Sequence, residues 1–194
     1  MKQKIEERRE RLPRITEVAH HLLAGRVRPG DTVVDATAGN GYDTLFLAQL
    51  VGENGLVYAY DVQEQAVAAT ADRLATAGVE KQVRLYHASH TEIVHIKEEV
   101  QAVVFNLGYL PGSDKTMITQ AESTLTAIQA AREKLVRGGM IVLVIYRGHD
   151  GGEEEAAQIE AYAQSLPITE YLVLRYDYIN PDNRPPYIIA IEKK

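Results

Sequence analysis

Two glycines lie where a predicted strand ends and a predicted helix begins, in the stretch DATAGNGYDT at residues 35–44. An apolar run precedes the stretch and a helix-like run follows it. Gly39 and Gly41 can adopt positive φ and let the backbone approach a ligand, while N–H groups at the start of the helix face that ligand. The stretch therefore predicts a binding turn for a nucleotide-type molecule; the alternative is that Gly39 only makes a tight connection.

Two common nucleotide signatures fit this turn poorly. Dinucleotide binding requires G-x-G-x-x-G, or alanine at the last position, and Thr44 occupies that position here. The phosphate-binding pattern G-x-x-x-x-G-K-[ST] is absent, because no lysine follows these glycines. Both an NAD-dependent oxidoreductase and a hydrolase of ATP or GTP are therefore disfavoured, and the oxidoreductase stays as an alternative.

Asp61 adds a second element at the end of the strand-like run VYAYD. A carboxylate there can accept hydrogen bonds from both ribose hydroxyls of an adenosine. The alternative is that Asp61 caps the helix that follows, because aspartate is favoured at that position. Together with the glycine turn, Asp61 indicates a cofactor that contains adenosine.

Strand-like and helical patterns alternate along the chain, which predicts an α/β fold with a mostly parallel sheet and helices on both faces. The last two strands are joined by residues 180–185 alone, which are too few for a helical crossover, so they should form an antiparallel hairpin. We predict strands at 31–36, 56–61, 82–87, 101–107, 140–147, 170–179 and 186–192, and helices from near Gly41, at 64–77, at 116–136 with Gly138 and Gly139 as its stop, and at 153–165.

Composition limits the classes of protein that this chain can be. Its 194 residues, of which 45% are hydrophobic, predict a single domain over 1–194, with 1–25 as an N-terminal helical extension. The chain has no cysteine, which excludes disulfides, thiolate metal sites and cysteine nucleophiles. No apolar stretch has the length of a membrane span, so we expect a soluble, cytoplasmic protein.

Several motifs now resemble a known family. The pattern Asp35-x-x-x-Gly39-x-Gly41, followed by Asp61, resembles the first two motifs of class I S-adenosylmethionine (SAM)-dependent methyltransferases, although many members have glycine where Thr37 stands. FNLGYLPGSDK at 105–115, IVLVIYRGHDGG at 141–152 and PPYIIAIEKK at 185–194 resemble the rRNA methylase family. Members of that family methylate the wobble-uridine side chain of tRNA.

The resemblance implies a Rossmann-like fold with a seven-stranded sheet and SAM as the cofactor. It also implies methyl transfer to the primary amine of 5-aminomethyl-2-thiouridine, with the tRNA anticodon stem-loop as partner. An rRNA base, a small-molecule amine and a non-catalytic RNA-binding role stay as alternatives. The implied cofactor-binding residues are Asp35, Thr37, Gly39, Asn40, Gly41, Asp43, Thr44, Asp61, Gln63, Asn106 and, as weaker contacts after the third strand, Ser89 and His90.

Asn106-Leu107-Gly108-Tyr109 resembles the N-P-P-Y motif of methyltransferases that act on amino groups, with Leu107 and Gly108 in place of the prolines. A nitrogen nucleophile must be held in line with the methyl group with its lone pair free, and an Asn side chain can accept its N–H. Tyr109 can lie against a flat base or near a sulfonium cation. The alternative is that Asn106 and Tyr109 only end a strand and pack.

An alkyl amine is largely protonated at neutral pH, and an ammonium has no lone pair, so some group must accept its proton. Asp114 and His149 follow predicted strands and are the candidates for that role. Asp114 can instead cap a helix, and His149 can be an exposed loop residue.

The histidines and the charged residues indicate whether the chain binds a metal ion or RNA. His20, His21, His87, His90 and His95 have no recognised metal-ligand spacing, so we expect no metal. The net charge of −6 argues against a general polyanion binder. We therefore expect tRNA to bind a local basic surface, which two subunits of a homodimer could share. The candidate contacts are Arg147, Lys115 and the charged N-terminal arm, for which a solvated helical face is the alternative.

Overall fold

The computed structural model describes residues 12–108, 121–148, 151–180 and 183–194. Within them, seven strands form one sheet in the order β3-β2-β1-β4-β5-β7-β6. Strand β7 is antiparallel to both β5 and β6, and the other pairs are parallel. The strands are β1 (Thr32–Asp35), β2 (Leu56–Asp61), β3 (Val83–His87), β4 (Val100–Leu107), β5 (Leu135–Ile145), β6 (Tyr171–Tyr176) and β7 (Tyr187–Lys193).

Helices cover both faces of this sheet and bury one apolar layer on each. Helices α1 and α2 lie over one layer, and α4 and α5 lie over the other. The mostly parallel α/β sheet with a C-terminal antiparallel hairpin, predicted from the alternation of elements, is confirmed. The helices are α1 (Ile15–Ala24), α2 (Tyr42–Val51), α3 (Glu64–Ala77), α4 (Ala121–Lys134) and α5 (Gly152–Ser165), with short 3₁₀ helices at Glu80–Gln82 and His90–His95.

The predicted helix at 116–136 is wrong at its C-terminal end. Helix α4 ends at Lys134, and Leu135 already pairs with Val100 of β4. The register then shifts, so that Ala102 lies opposite Met140, and the glycines predicted as a helix stop lie inside β5. Pairing with β4 therefore overrides the local helical pattern at this end. The start of the predicted helix, at residues 116–120, lies outside the described residues.

Helix α1 packs one face into the core and leaves the other exposed. Ile15, Ala19 and Leu23 recur at intervals of four residues and are buried in the layer beneath α1 and α2. Apolar residues at this spacing form one stripe, which α1 lays against the sheet. The division into a single domain with an N-terminal extension stays a prediction.

No helix in the described ranges is long and apolar enough to cross a membrane.

Strand β1 lies between β2 and β4, where the strand order reverses. Asp35 pairs with Ala59 on one side and with Val104 on the other, so three parallel strands end side by side. Ligands of such sheets bind beyond the carboxyl ends of the strands at this switch point. The turn from β1 to α2 therefore occupies the expected binding position.

Gly41 carries a double constraint that a mutation can test. Its φ is +78°, and an added Cβ would lie 2.9 Å from the Cα of Thr70 on α3. Gly78 has a similar φ of +69° with open space around it. We expect Gly78→Ala to cost about 1–2 kcal/mol from backbone strain, and Gly41→Ala to cost about 2–4 kcal/mol because α3 must also move. Urea unfolding of both variants measures the difference, and equal losses would contradict the contact with α3.

Candidate functional site

The turn after β1 is held by a buried carboxylate. Asp35 is fully buried and accepts hydrogen bonds from the Thr44 hydroxyl at 2.6 Å and from the Thr37 N–H at 3.1 Å. The Ala38 N–H donates to the Tyr60 carbonyl at 2.9 Å, which ties the turn to β2. Asp35 and Thr44 therefore form the base of the turn, and their predicted contacts with a cofactor stay predictions.

Burial makes the charge of Asp35 costly. Burial first, and then the nearby negative charge of Asp43, raise the pKa of Asp35 from an ordinary 3.8 to about 7. The hydrogen bond from Thr44 opposes this shift, because it stabilises the anion. At neutral pH this carboxyl group therefore exchanges between its charged and neutral forms.

Asp61, at the end of β2, bonds to the backbone on both sides of the site. Its Oδ2 accepts from the Gly39 N–H at 2.8 Å, and its Oδ1 accepts from the Gln63 N–H at 2.9 Å. It thus anchors the glycine turn and holds the N–H of Gln63, which is itself the N-cap residue of α3. The alternative, in which Asp61 caps this helix, is not what the structure shows. Each carboxylate oxygen can accept two hydrogen bonds, so a contact with a ribose diol is compatible with this geometry and stays a prediction.

Asn106, near the end of β4, bonds through its backbone to this turn and through its side chain to the start of α2. Its N–H donates to the Thr37 hydroxyl at 2.7 Å, and its Nδ2 donates to Asp43 Oδ2 at 2.9 Å. Thr37 stands where many class I methyltransferases have glycine, and its hydroxyl supplies a link to β4 that glycine cannot make. The structure therefore brings the predicted catalytic Asn106 against the predicted cofactor turn.

Asp43 has a second partner that sequence reasoning missed. His20 Nε2 lies 2.6 Å from Asp43 Oδ1, and the His20 ring stacks on Phe46 with a centroid distance of 3.9 Å and an angle of 6°. Asp43 and Phe46 lie three residues apart on α2, so one face of that helix holds the imidazole of α1. Only 14% of the Asp43 side chain is exposed.

Comparisons with known proteins agree with this geometry. Residues 57–192 match the family described as "Putative rRNA methylase". The chain belongs to the rRNA methylase family. An Arabidopsis thaliana relative named tRNA (mnm(5)s(2)U34)-methyltransferase, chloroplastic, is 40% identical over 190 residues, which cover 92% of this chain and 69% of the relative. The family resemblance predicted from the motifs is confirmed.

Solved structures of the family share the fold closely. One from Clostridium thermocellum, described as a putative rRNA-methylase, has a TM-score of 0.93 and 41% identity, and the match covers 95% of this chain and all of that one. Another, from Streptococcus mutans, is described as a putative methyltransferase in complex with SAH; it has a TM-score of 0.88 and 36% identity over 95% of this chain and all of its own. The Rossmann-like methyltransferase fold is therefore confirmed.

Within the rRNA methylase fold, Tyr146 borders the site and was also missed. It follows β5, and its N–H donates to the Leu107 carbonyl at 3.0 Å. Burial first, and then the charge of Asp43, raise the pKa of its phenol. An added Cβ at Gly108 would lie 3.2 Å from the Tyr146 Cβ, which explains a small residue at the third position of the N-L-G-Y motif. The sequence signal that could have identified Tyr146 was its position within the motif at residues 141–152.

The other predicted cofactor residues have local structural partners. Ser89 Oγ accepts from the Thr91 N–H at 3.2 Å and caps the second 3₁₀ helix. His90 is buried edge-on to Phe105 at 5.9 Å, and this burial lowers its pKa. The Asn40 carbonyl accepts from Arg73 Nε at 2.6 Å. Their predicted contacts with the cofactor stay predictions.

Four predicted functional residues, Tyr109, Asp114, Lys115 and His149, lie outside the described residues. Arg147 is described, and its predicted contact with tRNA stays a prediction. Only 19% of its side chain is exposed, and it faces Asp177 at 3.6 Å and the Tyr187 ring at 4.6 Å. Within the described ranges, no group of three His, Asp or Glu side chains is arranged to hold a metal ion.

The raised pKa of Asp35 predicts how stability depends on pH. The folded chain keeps this proton up to about pH 7, whereas the unfolded chain releases it near the ordinary value of 3.8. Relative to Asp35→Asn, the free energy of unfolding should therefore fall as pH rises between those values, by at most about 1.4 kcal/mol per pH unit, and level off above. Asparagine can accept from the Thr37 N–H and donate to the Thr44 hydroxyl, so the variant keeps the turn. Urea titrations across this range test it, and identical pH slopes would contradict a buried, protonated Asp35.

Proposed function

We propose that this protein is a SAM-dependent tRNA methyltransferase that methylates the primary amine of 5-aminomethyl-2-thiouridine at the wobble position. The observation that carries the proposal is the position of Asn106, whose backbone bonds to Thr37 in the turn after β1 and whose side chain bonds to Asp43 at the start of α2. The 40% identical Arabidopsis relative is named for a methyltransferase of this wobble uridine. The Streptococcus mutans structure holds SAH, the form of SAM that has lost its methyl group.

The residues at the switch point fit an adenosine cofactor. Gly39 has a φ of +54°, which orients the backbone of the turn in a way that L side chains rarely permit. Half-buried Asp61 beside it keeps acceptor capacity on both oxygens for a ribose diol. The role of the bound SAM is to supply a methyl group on a cationic sulfur, which is already a strong methyl donor.

The protein's own work is then to hold the amine in line with that methyl group and to manage its proton. The Asn106 amide accepts an N–H from the amine, which fixes its direction and leaves its lone pair free. Asp114 and His149 are the proposed proton acceptors, and Tyr109 is the proposed surface for the base. Each of these three assignments follows from its position in a motif.

The anticodon stem-loop is the proposed RNA element, and the proposed location of the reaction is the cytoplasm. The basic surface that binds this RNA would be shared by the two subunits of a homodimer. Arg147 is engaged by Asp177 and Tyr187, so the basic contacts are assigned to Lys115 and to the N-terminal arm. Phosphate contacts of this kind make affinity fall steeply with salt. The family description and a partial match to a ribosomal RNA small subunit methyltransferase, 31% identical over 42% of this chain, favour rRNA as a second candidate.

A methylation assay separates these substrates. Purified protein and SAM are incubated with tRNA that carries 5-aminomethyl-2-thiouridine, with the same tRNA unmodified at that position, and with rRNA. Digestion and mass spectrometry of nucleosides should show one added methyl group on the aminomethyl nucleoside alone. Methylation of the unmodified tRNA or of rRNA would overturn the proposed substrate, and no methylation of any RNA would overturn the RNA assignment.

Asn106→Ala tests the catalytic assignment within that activity. We expect single-turnover methylation to fall on the order of a hundred-fold or more, because the amine loses its orientation while the cofactor turn keeps its bonds to Asp35 and Asp61. SAM affinity by calorimetry should be nearly unchanged. Asn180→Ala, at an exposed position after β6, is the matched control and should retain full activity. A near-normal rate for Asn106→Ala would leave Asn106 with a structural role only.

A further inference from the structure

The contacts around Asn106 point to a positioning role for two residues of α1 and α2. We propose that the Asp43 carboxylate, itself held by His20, fixes the Asn106 side-chain amide in one of its two orientations. This inference rests on the proposed amine methylation and names the residues that prepare its acceptor. It follows from the chain of contacts from His20 to Asp43 to Asn106, at 2.6 and 2.9 Å.

An Asn side chain has a donor end and an acceptor end of nearly the same shape, so its orientation depends on its partners. An ionised carboxylate can only accept, so Asp43 Oδ2 selects the Nδ2 end of Asn106 at 2.9 Å. The reversed amide would place its carbonyl oxygen against a carboxylate oxygen and would lose a charge-assisted hydrogen bond. Among the residues that the structure describes, Asp43 therefore leaves Oδ1 as the end of Asn106 that can meet the amine.

The orientation decides whether the amine can react. When Oδ1 accepts an N–H from the amine, the nitrogen lone pair stays available for the methyl group. In the reversed orientation, Nδ2 would donate to that lone pair and occupy it. A reversed amide would thus still bind the substrate but would hold it in an unreactive form. The expected effect falls on the rate of methyl transfer and not on affinity.

His20 supplies the constraint on Asp43. The imidazole lies against Phe46 at 3.9 Å and engages Oδ1, which leaves Oδ2 for Asn106. Asp43 is only 14% exposed, so water competes little for its oxygens. Because His20 lies on α1 and Asn106 follows the buried part of β4, the contact also joins two elements of the core across the site.

Asp43→Asn is the first test, because asparagine keeps the shape of aspartate and can accept or donate. We expect Asn106 to sample both orientations and the single-turnover rate to fall about tenfold, with the dissociation constants of SAM and of the substrate tRNA unchanged. Asp72→Asn makes the same charge change at an exposed site on α3 and should keep the wild-type rate. A wild-type rate for Asp43→Asn, or weakened SAM binding that accounts for the loss, would overturn the positioning role.

A pair of His20 variants keeps the test independent of that single substitution. Glutamine can place an N–H near the position of Nε2, whereas phenylalanine keeps the stack on Phe46 and loses the donor. We expect His20→Gln to retain most of the rate and His20→Phe to lose about as much as Asp43→Asn. Equal rates for the two variants would contradict the hydrogen-bonded role of His20.

Nuclear magnetic resonance provides a readout that needs no activity. With ¹⁵N-labelled asparagine, the side-chain NH₂ signals of Asn106, assigned by their loss in Asn106→Ala, should shift in Asp43→Asn and His20→Phe but not in Asp72→Asn. Unshifted signals would overturn this inference whether or not the enzyme methylates tRNA. A wild-type protein that fails to methylate the aminomethyl tRNA while the signals shift as expected would overturn the proposed function alone.

Discussion

One buried carboxylate holds the turn on which the whole site depends. Asp35 ends β1 at the middle of the sheet, and its two oxygens bond to residues on either side of the glycines. That bonding fixes Thr37, which receives the backbone N–H of Asn106, and fixes the start of α2, which carries Asp43. Burial of the Asp35 carboxylate costs free energy, as its raised pKa indicates. The burial has a structural consequence, because both sides of the candidate site take their positions from this turn.

Most of the fold could be predicted from the sequence because local pattern and tertiary pairing agree. The run at residues 56–61 is apolar, ends in Asp61 and pairs on both sides, so its predicted and observed bounds coincide. The end of α4 was mispredicted because the local sequence pattern and the strand pairing disagree there. Leu135 continues a helical pattern, but its pairing with Val100 places it in a strand, and no local signal reveals that pairing.

The site was predictable where a motif holds its residues together in the chain. Residues 35–44 and Asn106 could be placed because strand ends of one parallel sheet converge. His20 could not, since its role depends on where α1 packs, and its neighbours in the sequence show only an apolar stripe. Asp61 was predicted as a ligand contact, yet its observed hydrogen bonds come from the backbone N–H groups of Gly39 and Gln63. An aspartate at a strand end can serve either role, and the sequence does not distinguish them.

The charges of the site explain why an amide, rather than a carboxylate, should face the proposed amine. Asp43 and Asp61 lie near enough to Asp35 for both charges to raise its pKa, so the site favours cations. Such a field attracts a sulfonium and an alkylammonium, but it also stabilises the protonated amine, which has no lone pair. Hydrogen bonds from His20 and Asn106 occupy the Asp43 oxygens and weaken this effect at the amine. Asn106 then offers a neutral oxygen, which can accept an N–H without adding the full negative charge that would hold the amine in its unreactive form.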